Sequence, residues 1–205
     1  MRGKNDILAD IRRNKPGFAA PAPHVPYYDD DYPRDTDGLV ERFVTTLEKM
    51  GGVWCAPTAD ETLEDTMRRV FAQREIEATA LVSNVPEITG NRRLRAGDAA
   101  RPLHDVDVAV LRARFGVAET GSVCFTEREL IVNAIGYLAQ HLIVLLDPRT
   151  IVTNLHRAYQ RDDYQNARYT VFHTGPSATA DIEGVLVRGA QGVRSLTIIP
   201  AHGSA

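Results

Sequence analysis

Apolar residues along this chain switch between the spacing of helices and the spacing of strands. Leu39, Phe43 and Leu47 recur at helical intervals after Asp37, and a second amphipathic stripe follows a capping-box sequence at residues 58–61. Short β-prone runs lie between the helical stretches, at residues 53–55, 79–83, 106–111, 123–125, 142–146, 169–172 and 196–199. This alternation predicts an α/β fold in which a parallel sheet lies between two helical layers.

The run at residues 142–146 is apolar without interruption, as expected for a central parallel strand that is covered on both faces. Asp147 and Pro148 then form the pattern of an N-cap followed by proline at the first helical position. The pattern therefore predicts a helix directly after this strand.

The N-terminal part of the chain has a different pattern. Residues 6–14 can form a short helix, whereas residues 15–37 contain five prolines and should be an extended connector. Tyr27, Tyr28 and Tyr32 are candidates for holding this connector against the domain or a partner chain. We therefore divide the chain into an N-terminal helix and Pro-rich arm, residues 1–36, and one α/β domain, residues 37–205.

Charge and hydropathy exclude several kinds of partner. The 205 residues carry 24 basic and 27 acidic side chains, a net charge of −3, so no basic field favours nucleic acid. The longest apolar run is too short for a membrane span, and the N-terminus has no apolar core of a signal peptide. These features predict a cytoplasmic protein without a membrane span.

The chain lacks the residue spacings of common cofactor sites. Its two cysteines, Cys55 and Cys124, are far apart and cannot supply the thiolates of an iron–sulfur cluster or a cysteine-rich zinc site. Neither the spacing of the six histidines nor any glycine-rich fingerprint indicates a metal or nucleotide site. We expect no metal and no cofactor in this chain.

The most informative stretch is Thr-Gly-Pro-Ser-Ala-Thr-Ala-Asp-Ile-Glu at residues 174–183. It follows a β-prone run and precedes an apolar helical pattern that stops at Gly189, which predicts a strand, a turn and a helix. Unpaired N–H groups at such a helix start can bind an anion. Capping of the helix by Ser177 or Thr179, with Asp181 or Glu183 as first-turn acids, explains the same residues without a ligand.

A second block, Phe-Gly-Val-Ala-Glu-Thr-Gly-Ser at residues 115–122, also combines glycine, hydroxyls and one carboxylate. Because ligands bind at the carboxyl ends of strands in open α/β sheets, we expect both blocks to converge on one pocket. Glu119 is a candidate base or nucleophile, or else a structural hydrogen-bonding group. His141 is a candidate titrating group, or else a satisfied half-buried histidine. The candidate ligand-binding residues are Thr120, Gly121, Ser122, Gly175, Pro176, Ser177, Thr179 and Asp181.

These two blocks, with the Gln140-His141 pair before the central strand, resemble the LUD-domain family, specifically the lactate-utilisation protein C (LutC/YkgG-like) group. The resemblance implies the fold shared by glucosamine-6-phosphate deaminase, ribose-5-phosphate isomerase and CoA transferases (NagB/RpiA/CoA-transferase-like). Two departures stand out. Gln191 occupies a position where many members carry histidine, and Leu138-Ala139 stand where many have prolines.

The resemblance implies a component of a bacterial L-lactate utilisation system that oxidises lactate to pyruvate with Fe–S partner proteins. This chain would lack a redox centre and bind a small organic acid, a phosphate or a CoA-type ligand. A second copy of the chain is another candidate partner. The alternative is an independent transferase or ligase that acts through Glu119 on a phosphorylated or CoA-linked small molecule. A scaffold without a ligand is a third interpretation.

Overall fold

The computed structural model describes residues 3–15, 21, 24, 26–180 and 186–202. The strands are β1 (Val53–Trp54), β2 (Leu81–Ser83), β3 (Val108–Arg112), β4 (Phe115–Val117), β5 (Ser122–Thr126), β6 (His141–Leu146), β7 (Thr170–His173), β8 (Ala178–Ala180), β9 (Leu186–Arg188) and β10 (Ser195–Pro200). The α-helices are α1 (Lys4–Arg13), α2 (Thr36–Lys49), α3 (Leu63–Gln73), α4 (Glu127–Leu130), α5 (Ile135–Leu138), α6 (Leu155–Tyr159) and α7 (Asp162–Gln165). Short 3-10 helices span Asp29–Asp31, Arg101–Asp105 and Pro148–Thr150.

A five-stranded parallel sheet in the order β1-β10-β6-β3-β2 forms the centre of the domain. Strand β6 lies between β10 and β3, and its residues from Leu142 to Leu146 are all buried. Continuous apolarity is what burial on both faces of a parallel strand requires. The predicted central strand and parallel sheet are therefore confirmed.

The two faces of this sheet pack against different elements. Leu142 and Val144 of β6 belong to an apolar cluster that includes Phe43 of α2. The alternate residue Ile143 belongs to a second cluster, which includes Val70 of α3. Since successive side chains of a strand point to opposite faces, this division confirms the predicted three-layer arrangement.

A smaller antiparallel sheet, in the order β4-β5-β7, was not anticipated from the sequence. Only residues 118–121 connect β4 to β5, and so short a connection forces the two strands to run antiparallel. Val123 and Phe125 of β5 face the main apolar cluster, whereas Cys124 faces a third cluster with Phe115 and Phe172. The alternation of strands and helices had predicted one sheet.

The signature sequence forms a β-hairpin where the sequence predicted a helix. Strands β8 and β9 pair antiparallel, with Thr179 opposite Val187, so the helical prediction is wrong at the described positions. Thr179 and Val187 are β-branched, a type that favours strands. Leu186 and Val187 are exposed, so the helical spacing of apolar residues faces no core. Residues 181–185, including Asp181, lie outside the described residues.

Several helix starts also differ from the predicted positions. Asp35, rather than Asp37, caps α2, and Thr62 caps α3 in a box four residues beyond the predicted one. The N–H of Thr58 still donates to Glu61 at 3.0 Å, so the predicted box makes part of its contact outside a helix. The helix expected after Asp147 is a 3-10 turn, and α6 begins only at Leu155.

The N-terminal helix α1 agrees with its prediction. Its residues Ile7, Leu8 and Ile11 are exposed. Within the described ranges, no helix has both the length and the apolarity that a membrane crossing needs. The division between arm and domain near residue 36 stays a prediction.

Candidate functional site

The signature turn, residues 174–177, lies near the amino ends of the parallel strands. The N–H of Ser177 donates to the carbonyl of Val193 at 2.8 Å, and Val193 comes just before β10. The first residue of β10, Ser195, pairs with His141 at the start of β6. The expected location at the carboxyl ends is therefore wrong. The physical reason is that the turn follows β7, which belongs to the antiparallel sheet.

The two sequence blocks meet through their hydroxyl groups. Ser122 donates to Thr120 at 2.7 Å, and its oxygen also forms a short hydrogen bond with Thr174. Ser122 is buried in this contact. The block at residues 115–122 thus contacts the signature turn through the hydrogen bond between Ser122 and Thr174.

Two turns that contain glycine lie in close contact with the end of α2. Gly121 and Gly175 both have a left-handed backbone, with φ of +63° and +74°. A Cβ at Gly121 would overlap the backbone of Leu47, and one at Gly175 would overlap the carbonyl oxygen of Met50. Only glycine combines this backbone with so close an approach. The end of α2 therefore fixes the position of both turns.

A pocket of about 460 Å³ lies on the outer side of the signature turn. This volume is within the usual range for small-molecule sites. Of the predicted ligand-binding residues, Gly175, Pro176, Ser177 and Thr179 line the pocket, together with Tyr137, His173 and Gln191. Thr120, Gly121 and Ser122 do not line it, and Ser122 instead forms a hydrogen bond with Thr174, which does.

Glu119 is not among the described residues that line this pocket. Its carboxylate accepts a hydrogen bond from the N–H of Leu155 at 2.9 Å, at the start of α6, and another from the hydroxyl of Tyr32. Burial, with the charge of Glu119 as a further cause, raises the pKa of Tyr32 above its usual value. These contacts are those of a structural carboxylate that joins α6 to the arm.

His141 also lies outside the pocket lining. Its Nδ1 is 2.8 Å from the hydroxyl oxygen of Ser195. Burial, followed by the positive charges of Arg194 and Arg74, lowers the pKa of His141. The structure thus places His141 as a half-buried histidine with a hydrogen-bond partner.

The structure adds His173, which was absent from the predicted site residues. Its side chain is only 9% exposed, and burial lowers its pKa to about 4. The ring lies between Phe125 and Tyr137, with centroid distances of 5.5 and 5.3 Å. The only sequence signal for His173 is its position directly before the signature turn.

No metal site emerges from the described part of the chain, where no three side chains of histidine, cysteine, aspartate or glutamate are grouped to hold an ion. The arrangement around the signature turn is instead one of hydroxyls, an amide, aromatic rings and a neutral imidazole. Such groups can bind a small polar ligand through hydrogen bonds.

A larger cleft, about 940 Å³, lies between the arm and the domain. The arm is docked there by Asp29, which accepts from Nε of Arg157 at 2.9 Å, and by the carbonyl of Tyr27, which accepts from Asn154. The guanidinium of Arg157 also lies over the Tyr27 ring, at 4.4 Å from its centroid. This contact agrees with the proposed anchoring of the arm by its tyrosines. Among the described residues, none lines both this cleft and the signature pocket.

We expect Arg157→Ala to release the arm, because Arg157 contacts both Asp29 and the Tyr27 ring. Cleavage by a broad-specificity protease within residues 26–34 should become faster, while the remaining domain stays intact. Arg128→Ala, at an exposed position outside this cleft, is the control. Equal cleavage rates in the two variants would show that Arg157 does not hold the arm.

Comparison with known proteins identifies the family. A model described as LUD domain matches residues 41–199, which include both glycine-hydroxyl blocks. The fold is similar to the crystal structure of a DUF162 family protein from Deinococcus radiodurans, with a TM-score of 0.59 and 15% identity over 82% of this chain and 99% of that chain. Comparison with curated protein sequences gave no significant match. The family model covers most of the domain, and the chain belongs to the LUD-domain family.

Proposed function

We propose that this chain is a ligand-binding component of a lactate-utilisation system and that a small organic acid occupies the signature pocket. The LUD-domain family is linked to lactate utilisation in general. The observation that carries the proposal is that the signature turn forms the wall of a cavity of about 460 Å³. A turn with a purely capping role needs no such cavity beside it.

The chemistry of the pocket wall suits a small acid. Thr174, Ser177 and Thr179 contribute hydroxyls, and Gln191 contributes an amide. These groups can donate hydrogen bonds to a carboxylate and accept them from a hydroxyl. The aromatic ring of Tyr137 also lines the pocket and adds apolar surface to it.

Oxidation of lactate to pyruvate removes two electrons, so a redox group must receive them. Cys55 and Cys124 are both buried, in different apolar clusters, and burial raises the pKa of Cys124 to about 12. Two separate thiols cannot replace the four ligands of an Fe–S cluster. We therefore assign the redox step to Fe–S partner proteins and ligand binding to this chain.

The alternative transferase or ligase reaction requires a free carboxylate at Glu119. That carboxylate instead accepts hydrogen bonds from Leu155 and Tyr32, in a place that the signature pocket does not reach. The contacts favour the binding function.

A thermal-melt and calorimetric screen of L-lactate, pyruvate, phosphate and coenzyme A tests this proposal. We expect lactate or pyruvate to raise the melting temperature, since a ligand that binds the folded state stabilises it. Ser177→Ala should weaken this binding by roughly ten- to a hundredfold, the usual effect of losing a hydrogen bond to a charged group. Thr45→Ala, at an exposed position of α2, should not. Stabilisation by coenzyme A alone would favour the transferase alternative, and no binding by either acid would refute the proposal.

A further inference from the structure

One buried atom beside the signature pocket lacks a partner: Nε2 of His173. It is shielded from water and forms no hydrogen bond with any described residue. A buried donor or acceptor without a partner lowers the stability of the folded chain, because it has lost its hydrogen bonds to water. Folded proteins retain few such groups, so each one needs a physical explanation.

Packing alone does not explain a histidine at this position. The ring meets Phe125 edge-on, at an interplanar angle of 76°, and Tyr137 at 42°. A phenylalanine ring could make both contacts without burying an unpaired nitrogen. A Cβ at Gly136 would be only 3.0 Å from Nε2, so glycine keeps the space around this atom clear. The local structure thus accommodates the nitrogen without satisfying it.

Tyr137 covers His173 on the solvent side. The Tyr137 side chain is 45% exposed, and its hydroxyl lies 2.7 Å from that of Tyr169. A neutral hydrogen bond of this kind is weak in net terms, and exposed side chains change rotamer within nanoseconds. Because both Tyr137 and His173 line the pocket, movement of the tyrosine would bring the imidazole into contact with a ligand.

The state of the imidazole indicates what it would bind. Burial holds the pKa of His173 at about 4, so the ring is neutral near pH 7. A neutral imidazole offers one donor and one acceptor, which suits an uncharged hydroxyl or oxo oxygen. The hydroxyls of Ser177 and Thr179 remain available for a carboxylate.

We propose that His173 hydrogen-bonds through Nε2 to the 2-oxygen of a small hydroxy or oxo acid after Tyr137 has moved aside. His173 thereby sets the preference for such acids over simple carboxylates. The inference rests on the proposed function, because it assigns a role within the same pocket.

Calorimetric titration with L-lactate and with propionate tests this role, since propionate has the carboxylate but no 2-oxygen. The wild-type chain should bind lactate about three- to tenfold more tightly than propionate, the contribution of one neutral hydrogen bond. In His173→Phe this ratio should fall to about one, while propionate affinity is retained. A merely structural role for His173 would change both affinities together.

A second measurement uses the unmodified chain, in case the His173→Phe variant does not fold. In 15N-labelled protein, the Nε2 resonance of His173 should shift when lactate is added and stay in place when propionate is added.

A variant tests the movement of Tyr137. Tyr169→Phe removes the hydrogen-bond partner of the Tyr137 hydroxyl, and Tyr169 itself does not line the pocket. It should speed lactate association without changing the lactate-to-propionate ratio.

The outcomes separate the two proposals. One outcome is that lactate and propionate both bind and that Ser177→Ala weakens the binding of both. If His173→Phe then keeps the lactate-to-propionate ratio of the wild type, and lactate does not shift the Nε2 resonance, the role of His173 is refuted and the pocket assignment stands. If neither lactate nor pyruvate binds the wild-type chain, the proposed function itself is wrong, and the role of His173 falls with it.

Discussion

Gly175→Ala and Gly121→Ala should each lower the free energy of unfolding by about 2–5 kcal/mol, the combined cost of a left-handed alanine and an overpacked contact. Both glycines have positive φ, and the added methyl group would overlap backbone atoms at the end of α2, at Leu47 in the helix or at Met50 directly after it. Backbone atoms cannot rotate away as a flexible side chain can. Urea unfolding followed by the fluorescence of Trp54 would measure the loss.

Gly97→Ala is the matched control. Gly97 has φ of +91°, yet an added Cβ would meet no atom within 4 Å. Gly97→Ala should therefore lower the free energy of unfolding only by the cost of a left-handed alanine, roughly 1–2 kcal/mol. If all three variants lost the same stability, the contacts with α2 would contribute nothing, and the turns would not be braced by that helix.

These contacts connect the fold to the proposed site. The end of α2 supports the turns at Gly121 and Gly175, and the second of these turns forms the wall of the pocket. A change in the path of α2 before β1 would therefore alter the pocket, although α2 itself lies outside its lining. We expect binding defects from such changes to appear together with losses in stability.

The central part of the fold was predictable because its signals are local. Continuous apolarity of β6 indicates burial on both faces, and helical spacing in α2 indicates one buried stripe. The second sheet was missed because antiparallel pairing of β5 with β7 joins residues about fifty positions apart. Periodicity within each strand says nothing about such a partner.

The hairpin β8-β9 shows where periodicity misled. Leu186 fits a helical spacing with the apolar residues before it, and Gly189 resembles a helix stop. In the structure Leu186 is exposed and pairs with Ala180. Gly189, whose φ is +72°, directly follows strand β9. Apolar spacing predicts a helix only when a core is available to cover it.

The candidate site was predictable in composition but not in detail. Glycine and hydroxyl residues located the two blocks, and Ser122 does contact Thr174. The sequence could not reveal that the hydroxyl of the arm residue Tyr32 would donate a hydrogen bond to the carboxylate of Glu119. Nor could it show the burial of His173, because that depends on Phe125, Gly136 and Tyr137, which come from other elements.

Acidification from pH 7.5 to 4.5 should remove about 2–3 kcal/mol of folding stability through His173, which is most of the free-energy equivalent of its pKa shift. Burial lowers the pKa of His173 from 6.5 to about 4 in the folded chain. Between these values the unfolded chain takes up a proton that the folded chain does not. Stability is therefore fully present above pH 6.5 and is lost as the pH falls toward 4.

Other groups affect this window differently. The pKa of His141 is also lowered by burial, so it adds a loss of the same sign that should persist when His173 is replaced. Glu61, whose folded pKa is about 2 because of its hydrogen bonds with Arg69, loses its contribution mainly below its ordinary value of 4.5. The interval above pH 4.5 thus reports chiefly on His173 and His141.

Urea unfolding at half-unit pH steps would measure this dependence in the wild-type chain and in His173→Phe. The variant should keep most of its stability at pH 4.5, because phenylalanine retains the ring contacts and takes up no proton. Thr45→Ala, at an exposed position of α2 that does not titrate, should show the pH dependence of the wild type. If His173→Phe lost as much stability as the wild type, the imidazole would be reached by water in the folded chain, and the covered pocket wall formed with Tyr137 would be wrong.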